Sequence, residues 1–193
     1  MRDLNLDYNR TAAKEYVEKY ALNPNTKEYP YFKNDDCANF ISQVLKAGGM
    51  KEVGANWDDF NSWFCNTTDF RQLKKIAITW RSARYFRRHW ANENGMGRNR
   101  AYRVYAYTVE DALLNFSYIY NTLKVGDVIQ HGTPIPYHTQ VVHDKRYNPE
   151  LGRNDLFLAQ HTYNRLNVSF YKYLFNLNDK ARRYVYLYRI SKF

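Results

Sequence analysis

The chain predicts an α+β fold, and three observations carry that reading. Apolar residues recur at helical spacing through the first half. They alternate with strand period in segments from Val125 onward. A length of 193 residues with 45% apolar content suits one core. The domain reading is a single unit over residues 1–193 with an aromatic and Arg-rich insertion at about 57–107. The longest apolar runs are far too short to span a bilayer, and no tandem repeat or low-complexity tract is visible.

The elements follow in order. Asn9 can cap a helix whose stripe is Ala12, Ala13, Tyr16, Val17 and Tyr20, ended by Asn23-Pro24-Asn25. Asp35 and Asp36 are N-cap candidates for a second helix, in which Cys37, Phe40, Ile41, Val44 and Leu45 share a stripe and Gly48-Gly49 gives the stop. Between Trp57 and Trp90 the pattern is irregular, with a helix after Ser82 that includes Tyr85, Phe86 and Trp90, and Gly95 to Arg100 is a loop. Thr108-Val109-Glu110-Asp111 opens a helical stretch through Leu113, Leu114 and Phe116. From Val125 everything reads as antiparallel strands, ending in the alternation of Tyr184 to Ile190.

Cys37 is the most informative residue. It stands at the first turn of its helix, where unpaired N–H groups and the positive dipole end favour a thiolate. Such settings bring a cysteine pKa from about 8.5 into a range of roughly 3.5 to 7.5. The plain alternative is a small buried core residue. A nucleophilic thiol needs a base, and the base needs an orienting group. Three of the five histidines, His138, His143 and His161, lie in or beside strand segments. Side chains alternate along a strand, so His138 and His143 must diverge, and only one can face the Cys37 helix. His138, just after Pro134 and Pro136, is the expected base, and His161 on the neighbouring strand the expected orienter. Cys65, in Trp63-Phe64-Cys65, reads as core. Two cysteines are too few for a disulfide framework.

Asp36-Cys37-Ala38-Asn39-Phe40-Ile41-Ser42-Gln43, followed by Ala47-Gly48-Gly49, resembles the nucleophile segment of the putative amidase domains of Gram-positive cell-wall and spore-associated proteins, relatives of the NlpC-type and CHAP cysteine peptidases. Tyr8 to Ala13, Val125 to Gln130, Tyr137 to Val142 and Ala159 to Thr162 fall in that family's order, so the likeness runs over most of the chain. The middle, from Trp57 to Tyr107, matches only around Trp80. The resemblance implies a papain-like fold with the nucleophile helix packed on an antiparallel sheet. It also implies a triad of Cys37, His138 and His161, no metal or other cofactor, and hydrolysis of a peptidoglycan amide through a thioester. Asp36, Asn39 and Trp80 are then candidate substrate contacts, although an Asp at position 36 equally suits a helix cap. Cell-wall action implies a secreted or wall-associated protein. Met1 to Asp7 has no apolar core for a signal peptide, so the chain is expected to be trimmed, released by another route such as phage lysis, or active inside the cell.

The charge supports a second reading. A net charge of +10, from 29 Lys and Arg against 19 Asp and Glu, points to a polyanionic neighbour. Arg81, Arg84, Arg87 and Arg88 interleave with Trp80, Tyr85, Phe86 and Trp90, the pattern by which single-stranded nucleic acid is held. A nucleic-acid module with a structural Cys37 is thus an alternative, although no nucleic-acid motif is present and anionic wall polymers would be drawn to the same patch. A zinc amidase using His138, His143, Asp144 and His161 is a third reading, opposed by the divergence of His138 and His143 and by the absence of HExxH or paired-cysteine motifs. No pattern in the chain sets an oligomeric state.

Overall fold

The computed structural model describes residues 4–193, so Met1 to Asp3 of the segment read for a signal peptide lie outside the described residues. Asn9 accepts a hydrogen bond from the Ala12 amide at 2.9 Å and starts α1 (Arg10–Tyr20), which buries Ala13 and Val17. Helix α2 (Cys37–Ala47) buries every residue from Cys37 to Leu45. It stops at Gly48, where a Cβ would come within 2.3 Å of the Tyr8 ring. Two short helices, α3 (Ile78–Arg81) and α4 (Ala83–Ala91), follow in the aromatic segment.

Six strands form one antiparallel sheet in the order β1-β6-β2-β3-β4-β5. The strands are β1 (Arg103–Thr108), β2 (Val128–Gly132), β3 (Pro136–Asn148), β4 (Arg153–Gln160), β5 (Arg165–Ser169) and β6 (Tyr184–Arg189). Helices α5 (Val109–Leu114), α6 (Phe116–Thr122) and α7 (Phe170–Phe175) complete the chain. Alternation along the strands supplies two cores. Val128, Val141, Ala159, Tyr186 and Tyr188 pack with α1 to α4. Ile129, Val142, Leu158, Val185 and Leu187 pack with α5 to α7.

Three expectations need correction. The region after Val125 is not all strand, because Ser169 caps α7 by accepting the Lys172 amide at 3.1 Å. The helical stretch after Thr108 is two helices broken at Asn115. The interleaved arginines and aromatics form the core and its rim rather than an open stacking platform. Trp80, Phe86 and Trp90 are fully buried. Arg87 lies 3.7 Å over the Tyr186 ring while pairing with Glu93 at 2.7 Å, and Arg88 lies 4.5 Å over Phe60.

At the foot of the sheet, buried Asp127 pairs with Arg10 at 2.8 Å and Arg189 at 3.2 Å and accepts the amides of Lys124 and Ile190. One carboxylate thereby ties α1, the turn before β2 and β6 together. Among the described residues no helix is long and apolar enough to cross a membrane.

Candidate active site

β3 runs on past the end of β4. Its ladder with β4 covers Val141 to Asn148, whereas from Pro136 to Gln140 it is paired with β2. The tip of α2 meets this extension. Consecutive residues there serve different sides of the sheet. Thr139 turns its amide and hydroxyl to the Cys37 sulfur. His138 lies on the α7 side, its ring 6.3 Å from that of His131 across the β2–β3 pair. Asp35 acts electrostatically on both Cys37 and His138, and Tyr173 of α7 lies within electrostatic reach of the sulfur.

The thiol is not the preformed thiolate that a helix tip alone suggests. Burial, with the Asp35 charge in support, pushes Cys37 up to about 11 against the opposing bonds from Thr139 and the Ala38 amide. Burial also lowers His138, opposed by its hydrogen bond to Gln160. Both groups therefore rest in their neutral forms near neutral pH.

The orienting group differs from the expected one. Gln160, the last residue of β4, directs its amide nitrogen to the carbonyls of Thr162 at 3.1 Å and Tyr163 at 3.4 Å. Its oxygen accepts from Gln140 at 2.6 Å and is the atom left to accept from His138. Gln140 in turn accepts at 2.8 Å from Nε2 of His131, which burial holds neutral at about 3. A polar ladder across three strands thus ends beside the His138 ring.

His161 is engaged elsewhere. Its Nδ1 meets Asp36 at 2.5 Å, its Nε2 meets the Tyr20 carbonyl at 2.9 Å, and its ring stacks on Phe40 at 3.9 Å. Both ring nitrogens are therefore engaged. No nitrogen remains for His138. The physical reason is that β4 ends at Gln160, so the next side chain leaves the sheet and turns toward α1 and α2.

The expected substrate contacts belong to this same buried network. Asp36, Asn39 and Trp80 are 1%, 0% and 0% exposed. Trp80 donates to the Asn39 carbonyl oxygen at 2.8 Å, and Asn39 donates to Asp36 at 2.8 Å and to the Pro30 carbonyl at 2.8 Å. Asp36 occupies the N-cap position without a side-chain cap bond and instead braces the loop by accepting the Phe32 amide at 2.9 Å. These residues hold the α2 tip in place and do not line a cleft. His143 faces Glu18 of α1 at 3.3 Å, and Asp144 pairs with Arg146. Among the described residues no three His, Cys, Asp or Glu side chains converge on a metal-sized site.

An open pocket of about 350 Å³ is lined by His138, Gln160, Tyr137, Tyr173 and Arg165 together with the Thr162–Tyr163 turn. The molecule is therefore a mixed α/β protein in which a helix-tip thiol and a strand imidazole both lie within the field of Asp35 at the end of an antiparallel sheet, the imidazole and the Gln160 carboxamide lining an open pocket. Residues 7–187 match the family described as "putative amidase domain", and the chain belongs to that family, whose description indicates amide hydrolysis. It is also similar to the "Uncharacterized protein YjcM" of Bacillus subtilis (strain 168), with 30% identity over 171 residues, 83% of this chain and 32% of that protein. The chain thus spans about a third of the length of that curated relative. No solved structure matches the chain.

Proposed function

We propose that this protein is a cysteine-dependent amide hydrolase of the papain-like type, acting as a single domain on bacterial cell-wall peptidoglycan outside the cytoplasm. The observation that carries the proposal is that the Cys37 thiol at the α2 tip, beside Thr139, and the His138 imidazole, beside Gln160, both lie within the field of Asp35 where β3 outruns β4. Membership of an amidase family and a strongly basic chain suited to polyanionic wall polymers support the substrate class.

The neutral resting pair defines the chemistry. As the Cys37 sulfur attacks the amide carbonyl, its proton passes to the free nitrogen of His138, so the charge separation arises only along the reaction path. Gln160 stabilises the imidazolium through its oxygen. The Cys37 amide, in the first turn of α2 and without an intrahelical partner, is placed to donate to the developing oxyanion. The imidazolium then protonates the departing amine, leaving a thioester. Neutral His138 next takes a proton from water, and the hydroxide equivalent displaces the thiol and frees the acid.

The test is digestion of purified Gram-positive peptidoglycan with mass spectrometry of released fragments. Wild type and His143→Ala should release the same fragments, whereas Cys37→Ala and His138→Ala should release none while remaining folded. Fragments from Cys37→Ala would sink cysteine catalysis. A folded wild type that releases nothing from several wall types under reducing conditions would sink the wall assignment.

A further inference from the structure

The turn after β4 carries two consecutive non-glycine residues in the left-handed region, Thr162 at φ 59° and Tyr163 at φ 61°. For a β-branched threonine this is an outlier, and such residues persist only where the surroundings over-determine them. Here the surroundings are the site itself. The Asp36 amide donates to the Thr162 hydroxyl at 2.9 Å, and Gln160 holds the carbonyls of Thr162 and Tyr163. The product of this pinned turn is a tyrosine that is 81% exposed. Tyr163 stands as a wall shared by the pocket beside His138 and a second pocket of about 490 Å³ that includes Lys33 and Asn34.

Charge is distributed unevenly along this groove. Arg165 lies in the pocket beside His138 and also in the adjoining one over α7, which contains Lys172. No carboxylate lines any of the three pockets, in a chain with 19 Asp and Glu. Asp35, which acts on His138, lines none of them. Many arginines of this protein are held by ring stacking or ion pairs, but Arg165 is exposed and its guanidinium makes no hydrogen bond or ion pair among the described residues. A planar guanidinium set among the phenol rings of Tyr137, Tyr163 and Tyr173 fits a carboxylate by paired N–H donation.

We propose that the groove recognises an acidic peptide, with Arg165 binding a side-chain carboxylate of the residue that enters the pocket beside His138 and Tyr163 walling that residue off from the rest of the groove. The inference rests on the hydrolase reading only in calling that peptide a substrate.

Binding tests it without turnover. With the Cys37→Ala protein, calorimetric titration of N-acetyl-Glu-Ala-amide and of its Gln counterpart should show at least 10-fold tighter binding of the acidic peptide. Adding Arg165→Gln should abolish that preference by weakening the acidic peptide alone, and Arg165→Lys should restore part of it. Equal affinity for the two peptides, no saturation by either, or a preference that survives Arg165→Gln overturns the assignment. If the preference fails while wild type still releases wall fragments, only the carboxylate subsite falls. If it holds while wild type releases nothing, the site stands and the wall-hydrolase reading falls.

Discussion

Replacing His161 by alanine should unfold the protein more readily without stopping its chemistry. The residue is 0% exposed, and removal of its side chain leaves Asp36, itself 1% exposed, with a buried carboxylate oxygen facing an empty space beside Phe40. Deleting one partner of a buried ion pair costs about 3 to 5 kcal/mol. The Tyr20 carbonyl also loses its donor, while the Phe32 amide and Asn39 continue to serve the other Asp36 oxygen. A loss of about 4 kcal/mol follows, which for a domain of this size lowers the melting temperature by about 8 to 16 °C. Gln160→Ala should do the reverse. In the proposed mechanism it removes the acceptor that orients His138, which should lower kcat by about 100-fold, the lower end of what general acid–base catalysis contributes. Its stability cost should be only about 1 to 2 kcal/mol. The assay is urea unfolding followed by circular dichroism, paired with turnover measured well below each variant's melting temperature. A His161→Ala protein that loses under about 1 kcal/mol yet has no turnover, beside a fully active Gln160→Ala, would refute the separation of scaffold from chemistry.

Two further outcomes are expected. Burial holds His138 below the ordinary imidazole value and Cys37 up near 11, and the proposed mechanism starts from neutral His138. The acid limb of kcat/KM should therefore fall below pH ~6.5, and alkylation of Cys37 by iodoacetamide should keep accelerating toward pH 11; an alkylation plateau already reached at pH ~5 would instead reveal a preformed thiolate. Gly48→Ala has no backbone objection at φ −71°, but its Cβ meets the buried Tyr8 ring at 2.3 Å, so it should cost about 1 to 3 kcal/mol in urea unfolding. That cost should shrink in a Tyr8→Leu background, and equal costs in the two backgrounds would show that the clash is not its source.

What could be read from the chain was local. The Asn9 and Thr108 caps each rest on a side chain bonding an amide within three residues, and the Cys37 stripe repeats at helical spacing inside one element. What could not be read depended on where strands stop. His161 and Gln160 are neighbours, and only the end of β4 between them decides which one meets His138. β1 was hidden because its partner, β6, lies some eighty residues on. α7 was hidden because Phe170-Tyr171-Lys172-Tyr173-Leu174-Phe175 is rich in the aromatic residues that favour strands. Charge counting likewise missed that several arginines of the basic patch lie over aromatic rings.

The strand order has a consequence for how the protein is made. β6 follows the other five strands of the sheet in sequence yet occupies the second place in it, and it is the ladder partner of β1 and one of two for β2. Helix α2 precedes every strand in sequence, but a chain that stops before Tyr184 has β1 unpaired, β2 open along one side and Asp127 without Arg189. Domains fold as units as they emerge. The sheet can close only once Tyr184 to Arg189 are available, so the strand that carries His138 and the helix that carries Cys37 gain their final frame from a segment far along the sequence from both.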